Sequence, residues 1–297
     1  KCKEGLYFRM VTCILTGHKG FIGSHYYNYI KDSYDAVYPY DKKDGNTKNL
    51  RYSGVTSSMP DSDVVVHLAA TNGTKLFYEQ PTDVLINNTL PTINLIERYK
   101  NTDTKFVFAS TCEIFNGAID AGYYHIPTDE QVPVVFNDIT NPRWSYSIPK
   151  ALGENLVANS GLDYLIIRYF NVYGPGQKDH FISEFVERCK QGKYYINGND
   201  TRSFCYVDDA VKMTDMLVRD HNNLTVNVGN DHEVQINVVA KMIMGYMGIN
   251  PDKLEIRAGP EGSVTRRCPD TTLVQMLTGF NDYTPLEIGL KNTVESL

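Results

Sequence analysis

Up to Phe170, short and nearly unbroken apolar runs alternate with longer segments whose apolar positions recur every three to four residues. The first pattern predicts buried strands and the second amphipathic helices. Met10 to Thr16 reads as a buried strand, and the loop Gly17 to Gly23 opens a helix running to about Ile30. Ala36 to Tyr40 is a second strand ending on Asp41. Lys42 to Asp61 is polar and predicts little helix, and Val64 to Ala70 (VVVHLAA) is a third strand. Asp83 to Lys100 has helical periodicity, Lys105 to Ser110 (KFVFAS) is strand, a further helix starts near Tyr146, and Tyr164 to Arg168 (YLIIR) is strand again. Strands apolar on both faces that alternate with helices belong to a parallel sheet covered on both sides. The prediction is a doubly wound α/β architecture.

Beyond Phe170 the alternation loosens. Helical periodicity returns at Phe181 to Gly192, Asp209 to Arg219 and Val234 to Gly248, while Phe204 to Val207 and Thr225 to Val228 read as extended. Turns marked by proline and glycine fill Asn250 to Gly262. We therefore expect a sheet domain over residues 10–170, completed by later strands near 203–230, and a smaller lobe over 171–297. A cleft between two such units is where ligands meet.

Composition narrows the partners. A chain of 297 residues is long enough to bury a large core. Its six cysteines are scattered, with no CxxC pair and no histidines at metal-ligand spacing, so we expect neither a disulfide framework nor a metal site. A formal charge of −6 disfavours a broad nucleic-acid surface, which needs clustered Lys and Arg. No apolar stretch approaches the ~20 residues of a membrane helix, and nothing near the start resembles a signal peptide. The expectation is a cytoplasmic protein with no membrane or nucleic-acid partner. Met10 is a candidate natural start, with Lys1 to Arg9 an added leader.

Two features carry chemistry. Gly17, Gly20 and Gly23 follow the first strand directly, in the spacing GxxGxxG. Gly17 suits the tight turn, Gly20 a close approach of backbone to a pyrophosphate, and Gly23 close helix packing, with the helix N-terminus facing the phosphates. Asp41, closing the next strand, suits hydrogen bonds from an adenosine ribose and repels a 2′-phosphate, favouring NAD over NADP; Lys42 and Lys43 pull the other way. Further on, Tyr146 and Lys150 stand four residues apart, so they share one helical face. An ammonium beside a phenol favours the phenolate, and such a pair acts as a base where a cofactor brings an electron acceptor.

Taken in order, TGHKGFIGSH (16–25), DVVVHLAA (63–70), Asn87-Asn88, FASTCEIFN (108–116), YSIPK (146–150), RYFNVYGPGQ (168–177) and RSFCYVDDAV (202–211) resemble the extended short-chain dehydrogenase/reductase family. The similarity is to its nucleotide-sugar epimerases, dehydratases and decarboxylases. It implies a Rossmann-type sheet with a nucleotide-sugar lobe, and NAD held by Gly17, Gly20, Phe21, Ile22, Gly23, Asp41, Leu68, Ala69, Ala70, Asn88, Tyr146 and Lys150. It also implies a triad of Thr111, Tyr146 and Lys150, substrate contacts from Asn171 and Arg202, and a homodimer through a four-helix bundle built from Asp83 to Lys100 and Tyr146 to Asn159. Arg202 has an alternative as the ion-pair partner of Asp208 or Asp209.

The chain departs from the pattern in three places. Pro149 stands where relatives carry a small residue, so the helix must begin close to Tyr146. Phe115 and Asn116 take the places of a usual Tyr-Gly ending, with Gly117 one position on. Ser53-Gly54-Val55 replaces an acidic residue that contacts adenine.

Within the family the reaction turns on neighbours of the triad. Tyr146 takes the sugar hydroxyl proton as hydride leaves C4 for NAD⁺, giving a bound 4-keto sugar. The glucose 4,6-dehydratases have Asp-Glu after the threonine, whereas this chain has Cys112-Glu113, and a thiol is a poor substitute for that acid. Thr111-Cys112-Glu113 is similar to the Thr-Ser-Glu of UDP-glucuronate decarboxylases. Arg143, three residues before Tyr146, and Arg267, in RRCPD, are similar to their arginines. The resemblance thus implies decarboxylation of a UDP-sugar, UDP-glucuronate, to UDP-xylose or a 4-keto pentose. A 4-epimerase, a GDP-mannose-type 4,6-dehydratase and a silent NAD-binding interaction protein are the alternatives. For Arg143 a loop salt bridge, and for Arg267 a structural or phosphate-binding place, are the competing readings.

Overall fold

In the computed structural model, residues 12–259 and 266–297 are described. Five apolar runs form the strands β1 (Thr12–Thr16), β2 (Ala36–Tyr40), β3 (Val64–His67), β4 (Lys105–Thr111) and β5 (Tyr164–Tyr169). Together with Leu224–Val228 they make one six-stranded sheet, in the order Leu224–Val228, β5, β4, β3, β1, β2, with every pairing parallel. This is the doubly wound architecture expected from the alternation. β3 and β4 are buried along their whole length, as strands covered on both faces must be.

The two faces have separate cores. On one, Tyr26, Ile30, Val211 and Leu217 from helices Phe21–Ile30 and Val207–Asp220 pack on Leu15, Val66, Val107 and Ile167. On the other, Leu95, Tyr99 and Val157 from helices Pro81–Tyr99 and Ser147–Ala158 pack on Ile14, Val65, Phe106, Phe108 and Ile166. Each fully buried side chain of this kind contributes about 1.5–3 kcal/mol, so this sandwich of layers is the main source of stability. The polar stretch after β2 forms only short helical turns, Lys42–Asp44, Asn46–Lys48 and Ser53–Ser57. β2 is therefore the edge of the sheet, which accommodates Pro39, a residue with no N–H to give to a further strand.

Several boundaries differ from the sequence reading. Met10 and Val11 of the first strand, and residues 260–262 of the turn segment, lie outside the described residues. β3 ends at His67 rather than Ala70, and Ala69 N instead donates to Thr16 Oγ1 at 3.2 Å, closing over the end of β1. Val234 and Gln235, read as helix, pair with Arg202 and Thr201 as a strand, and the helix begins at Ile236. Val207, read as extended, is the first residue of its helix. Of the strands expected near 203–230, Leu224–Val228 joins the main sheet. The strand read at Phe204 to Val207 is Cys205–Tyr206, which pairs with Val172–Tyr173 instead, while Thr201–Ser203 lies in a small sheet between Glu233–Gln235 and Arg266–Arg267. Behind that sheet Phe185, Val186, Ile196, Val239, Ile243 and Leu290 form a third core.

Beneath the YSIPK segment, helix and sheet come very close. A Cβ on Gly153 would sit 2.3 Å from Cζ of Phe108, which is fully buried. Overpacking by one methyl here costs about 1–3 kcal/mol, against about 1 kcal/mol gained in helix propensity. We expect Gly153→Ala to be destabilised in urea unfolding and Gly153→Ala/Phe108→Leu to recover most of the loss. A stable single variant would show that the helix slides freely on β4.

Candidate active site

At the carboxyl end of the sheet the chain passes from β2, on one side of β1, to β3 on the other. A parallel sheet leaves a crevice at such a reversal, and here it opens into a cleft of about 910 Å³. Gly17 leaves β1 with φ +78°, and a Cβ on it would lie 2.7 Å from N and Cα of Ala69. A Cβ on Gly23 would come within 2.0 Å of Gly17 O. These two glycines let backbone close on backbone.

Gly20 is different. Its Cβ would meet only Gly17 O, at 3.1 Å, and it lines the cleft. The helix Phe21–Ile30 that starts there has neither a capping side chain nor an acid in its first turn. Its first N–H groups are thus available to an anion, and the loop fits a dinucleotide pyrophosphate. Phe21, Ile22, Leu68 and Ala70 line the same wall.

Three expected cofactor contacts lie one layer back. Ala69 packs behind Gly17. Asp41, 8% exposed, accepts from Lys43 N at 2.9 Å and Lys19 N at 3.1 Å, so its carboxylate pins the glycine loop to the end of β2. Lys19 and Lys43 line the cleft in its place. Asn88 is buried, and its amide accepts from Thr71 N at 2.9 Å and donates to Thr71 O and Val84 O at 2.9 and 2.8 Å. Its bonding shapes the loop after β3.

Thr111, Glu113, Tyr146 and Lys150 converge on the cleft. A 3-10 turn, Pro142–Ser145, delivers Tyr146 as the cap of helix Ser147–Ala158. Pro149 accordingly falls in the first turn, where a missing N–H costs nothing. The Tyr146 ring stacks on Phe77 with centroids 5.4 Å apart and planes at 9°. Thr111, at the end of β4, accepts from Glu113 N at 3.2 Å through Oγ1. Lys150 Nζ donates to Ala109 O at 2.7 Å and lies 5.8 Å from the centre of the Tyr146 ring.

Burial dominates the electrostatics of this pair. It pushes the Tyr146 phenol well above its ordinary range, with Glu113 and Cys112 adding to the effect. It pulls the Lys150 ammonium down to about 7, opposed by Glu154. The expected phenolate is therefore not what the chain alone produces. Desolvation disfavours both charged forms, and Lys150 is turned to the sheet rather than to the phenol oxygen.

Across the cleft, Arg202 and Arg267 stand side by side because Thr201–Ser203 and Arg266–Arg267 run parallel in that register. Arg267 Nη1 lies 3.1 Å from Glu113 Oε1 and 3.4 Å from Asn171 Oδ1. Asn171 is held at φ +39°, with its Nδ2 donating to Ser203 O at 2.9 Å. Arg202 Nη1 donates to Thr201 O at 2.7 Å, and its Nη2 is 3.6 Å from Asp200. Asp208 is bound to His25 and Asp209 to Thr284, so neither partner considered for Arg202 from the sequence is its ion pair. Burial, then Arg267, pushes Arg202 down to about 10. Burial also works against the Arg267 charge, but Glu113 and Cys112 reverse the balance and raise it.

Arg143 does not join this group. It lies 3.3 Å from Asp120 and over the Trp144 ring at 4.8 Å, outside the lining of the cleft. Phe77, His180, Arg188 and Asn197 do line it, although no short motif marks them. His180 precedes the helix Phe181–Lys190, and Arg188 sits 5.1 Å above the Tyr195 ring with its buried Nε unbonded.

The sequence model of the NAD dependent epimerase/dehydratase family matches residues 13–229. A UDP-N-acetyl-alpha-D-glucosaminuronate decarboxylase of Bacillus cytotoxicus is 29% identical over 95% of this chain and 96% of its own length. A putative UDP-glucose 4-epimerase of Methanocaldococcus jannaschii is also 29% identical, over the same shares. Among solved structures, MoeE5 in complex with UDP-glucuronic acid and NAD superposes with a TM-score of 0.82 at 25% identity, covering 96% of this chain and 98% of that one.

The lowered proton affinity of Lys150 makes a prediction about stability. Between about pH 7 and the ordinary lysine range, the unfolded chain carries a proton on Lys150 that the folded NAD-free protein does not. Stability from this group therefore rises with pH across that window, by at most about 1.4 kcal/mol per pH unit. Lys150→Met removes the effect. Urea unfolding at about pH 7 and about pH 9 should show the variant more stable at the lower pH and the difference shrinking at the higher one. Parallel pH dependence of the two proteins would mean that Lys150 is fully charged in the fold.

Proposed function

The chain belongs to the NAD dependent epimerase/dehydratase family, and from that premise we propose that it decarboxylates UDP-glucuronate, giving UDP-xylose or a UDP-4-keto-pentose. The observation that carries this reading is the pair of Glu113 and Arg267, 3.1 Å apart, set beside Tyr146 and Thr111 in one cleft. The uronate decarboxylase of Bacillus cytotoxicus among the relatives supports it. In this reading residues 10–170 hold NAD, and residues 171–297 hold mainly the UDP-sugar.

Thr111 Oγ1 holds the C4 oxygen of the sugar, and Tyr146 takes its proton as a phenolate, the form that the positive charge of bound NAD⁺ would favour beside it. The chemistry supplied by NAD is the reversible uptake of a hydride from C4. The resulting C4 ketone lies β to the C5 carboxylate, so the bond from C5 to the carboxylate carbon breaks with its electron pair flowing into the ketone, and CO₂ leaves. Arg267 orients the carboxylate through its planar fork of donors. Tyr146 and Thr111 stabilise the enolate oxygen, and Glu113 delivers a proton to C5. Asn171 and Arg202, on the same wall, meet the diphosphate or the sugar. Arg143 acts in this reading only by fixing the turn before Tyr146.

Cys112 weighs against 4,6-dehydration. Burial pushes its thiol up to about 11, far too weak an acid to protonate a leaving hydroxyl. A UDP-sugar 4-epimerase is the second reading, favoured by the archaeal relative of equal identity. It uses the same oxidation but has no task for an arginine paired with a carboxylate. Leu90 and Leu152 stand exposed on the packed helices Pro81–Tyr99 and Ser147–Ala158. In our reading they meet a second copy in a cytoplasmic homodimer.

Purified protein supplied with NAD⁺ and UDP-glucuronate should release CO₂ and form a nucleotide pentose, read by mass and NMR. Substrate left unchanged or merely epimerised would overturn the proposal. Tyr146→Phe should lower kcat by about 10²–10⁴ while leaving NAD binding intact; unimpaired turnover would remove Tyr146 from the proton transfer.

A further inference from the structure

Arg267 is the cation on which the proposed reaction needs to receive a sugar carboxylate, yet a carboxylate of the chain already holds it. Glu113 Oε1 lies 3.1 Å from Arg267 Nη1, with the two side chains 27% and 15% exposed. Among the described residues the contact is one-pronged: the second donor on Nη1 reaches Asn171 Oδ1 at 3.4 Å and the buried Nε has no acceptor. A guanidinium engaged in this way has not reached the bidentate arrangement in which arginine binds carboxylates best.

We propose that Glu113 is a resident stand-in for the sugar carboxylate: it occupies Arg267 until a uronate arrives, and is displaced by it. The inference rests on the decarboxylase reading and extends it to how the site selects its substrate. Without Glu113 the half-buried wall would hold Arg202 and Arg267 side by side, and each opposes the charge of the other. The glutamate balances that charge in the resting site. A neutral hexose has nothing with which to replace it, and separating Arg267 from Glu113 would leave two desolvated charges unpaired. A uronate brings its own carboxylate, restores the balance, and gains the two-pronged geometry.

Displacement also prepares the next step. Two carboxylates beside one guanidinium repel, which raises the proton affinity of the one released. The groups facing Glu113 are Arg267 and Arg202 from the small sheet, His180 before the helix Phe181–Lys190, and Cys112 and Tyr146 beside it. Once Arg267 is taken, the neighbouring phenol and thiol are neutral and His180 is kept neutral by burial. Arg202 still faces Glu113, so displacement weakens the cationic hold on its carboxylate without removing it.

The test is affinity measured on protein loaded with NADH, which cannot oxidise C4 and so keeps the ligand intact. Wild type, Glu113→Gln and Glu113→Ala are titrated with UDP-glucuronate and with UDP-glucose in a calorimeter. Removing the competing carboxylate should tighten UDP-glucuronate by about tenfold in both variants and leave UDP-glucose within about twofold. Uronate binding that is unchanged or weaker in both variants would overturn the stand-in, as would equal tightening of the two ligands. CO₂ release by wild type separates the layers of the argument. Its absence sinks the decarboxylase reading, whereas its presence without selective tightening sinks only the role of Glu113 in selection.

Discussion

The seam between helix Ser147–Ala158 and β4 is the constraint on which the site depends. Tyr146, Lys150, Gly153 and Glu154 follow one another at helical spacing, so they form a single stripe. Gly153 allows the helix axis to approach Phe108, and Lys150 ties the first turn to Ala109 O at the end of the strand. One turn further, Glu154 takes a bidentate contact from Arg168 of β5, at 2.9 and 2.8 Å, and a bond from Ser110 of β4. These contacts are buried or part-buried and of different chemical kinds, so the helix can neither rotate nor slide without losing one of them. Tyr146 and Thr111 are thereby held on the same cleft by neighbouring ends of two elements that are locked together.

Low dielectric is what this rigidity makes available. With water excluded from the seam, a lysine and a phenol that would each ionise readily or not at all in solution are both biased toward neutrality. The resting pair is thus a base held in reserve, whose protonation state answers to the charge placed beside it. On the opposite wall the logic is reversed. Two arginines are kept charged in a half-buried sheet because Glu113 and Asp200 stand within ion-pair reach. The cleft therefore has a side biased toward neutrality and a cationic side, which the proposed reaction would use for oxidation and for holding an anion.

Most of the sheet was legible because its strands are short apolar runs separated by helical periodicity, and tertiary packing reinforced rather than overrode that pattern. The glycine loop was legible for a stronger reason: at Gly17 and Gly23 no other side chain fits. What the sequence left out shares a cause. Val234–Gln235 has an apolar start that suits either a strand or the helix it precedes, and only the partner strand carrying Arg202 decides between them. Asp41 and Asn88 carry the right functional groups at the right spacing. Spacing does not reveal that their oxygens also accept from nearby backbone N–H groups, with a lone pair on each left over. His180 and Arg188 were missed because what brings them to the cleft is the packing of the third core.

That last point bears on how one fold serves several reactions. The oxidising side is assembled within the sheet domain from residues that sit at strand ends and on one helix, so its geometry follows from the sheet itself. The other side arrives from far along the chain, through Asn171 held at φ +39° and a small sheet whose register sets Arg267 beside Arg202. Nothing in the main sheet dictates which side chain that lobe places against Glu113. In the proposed reaction, removing a proton from a sugar hydroxyl would therefore be a property of the sheet, and the fate of the ketone a property of the lobe. In the proposed reading the lobe offers a guanidinium, and among the reactions open to a 4-keto sugar, loss of a carboxylate is the one that a guanidinium at that place would direct.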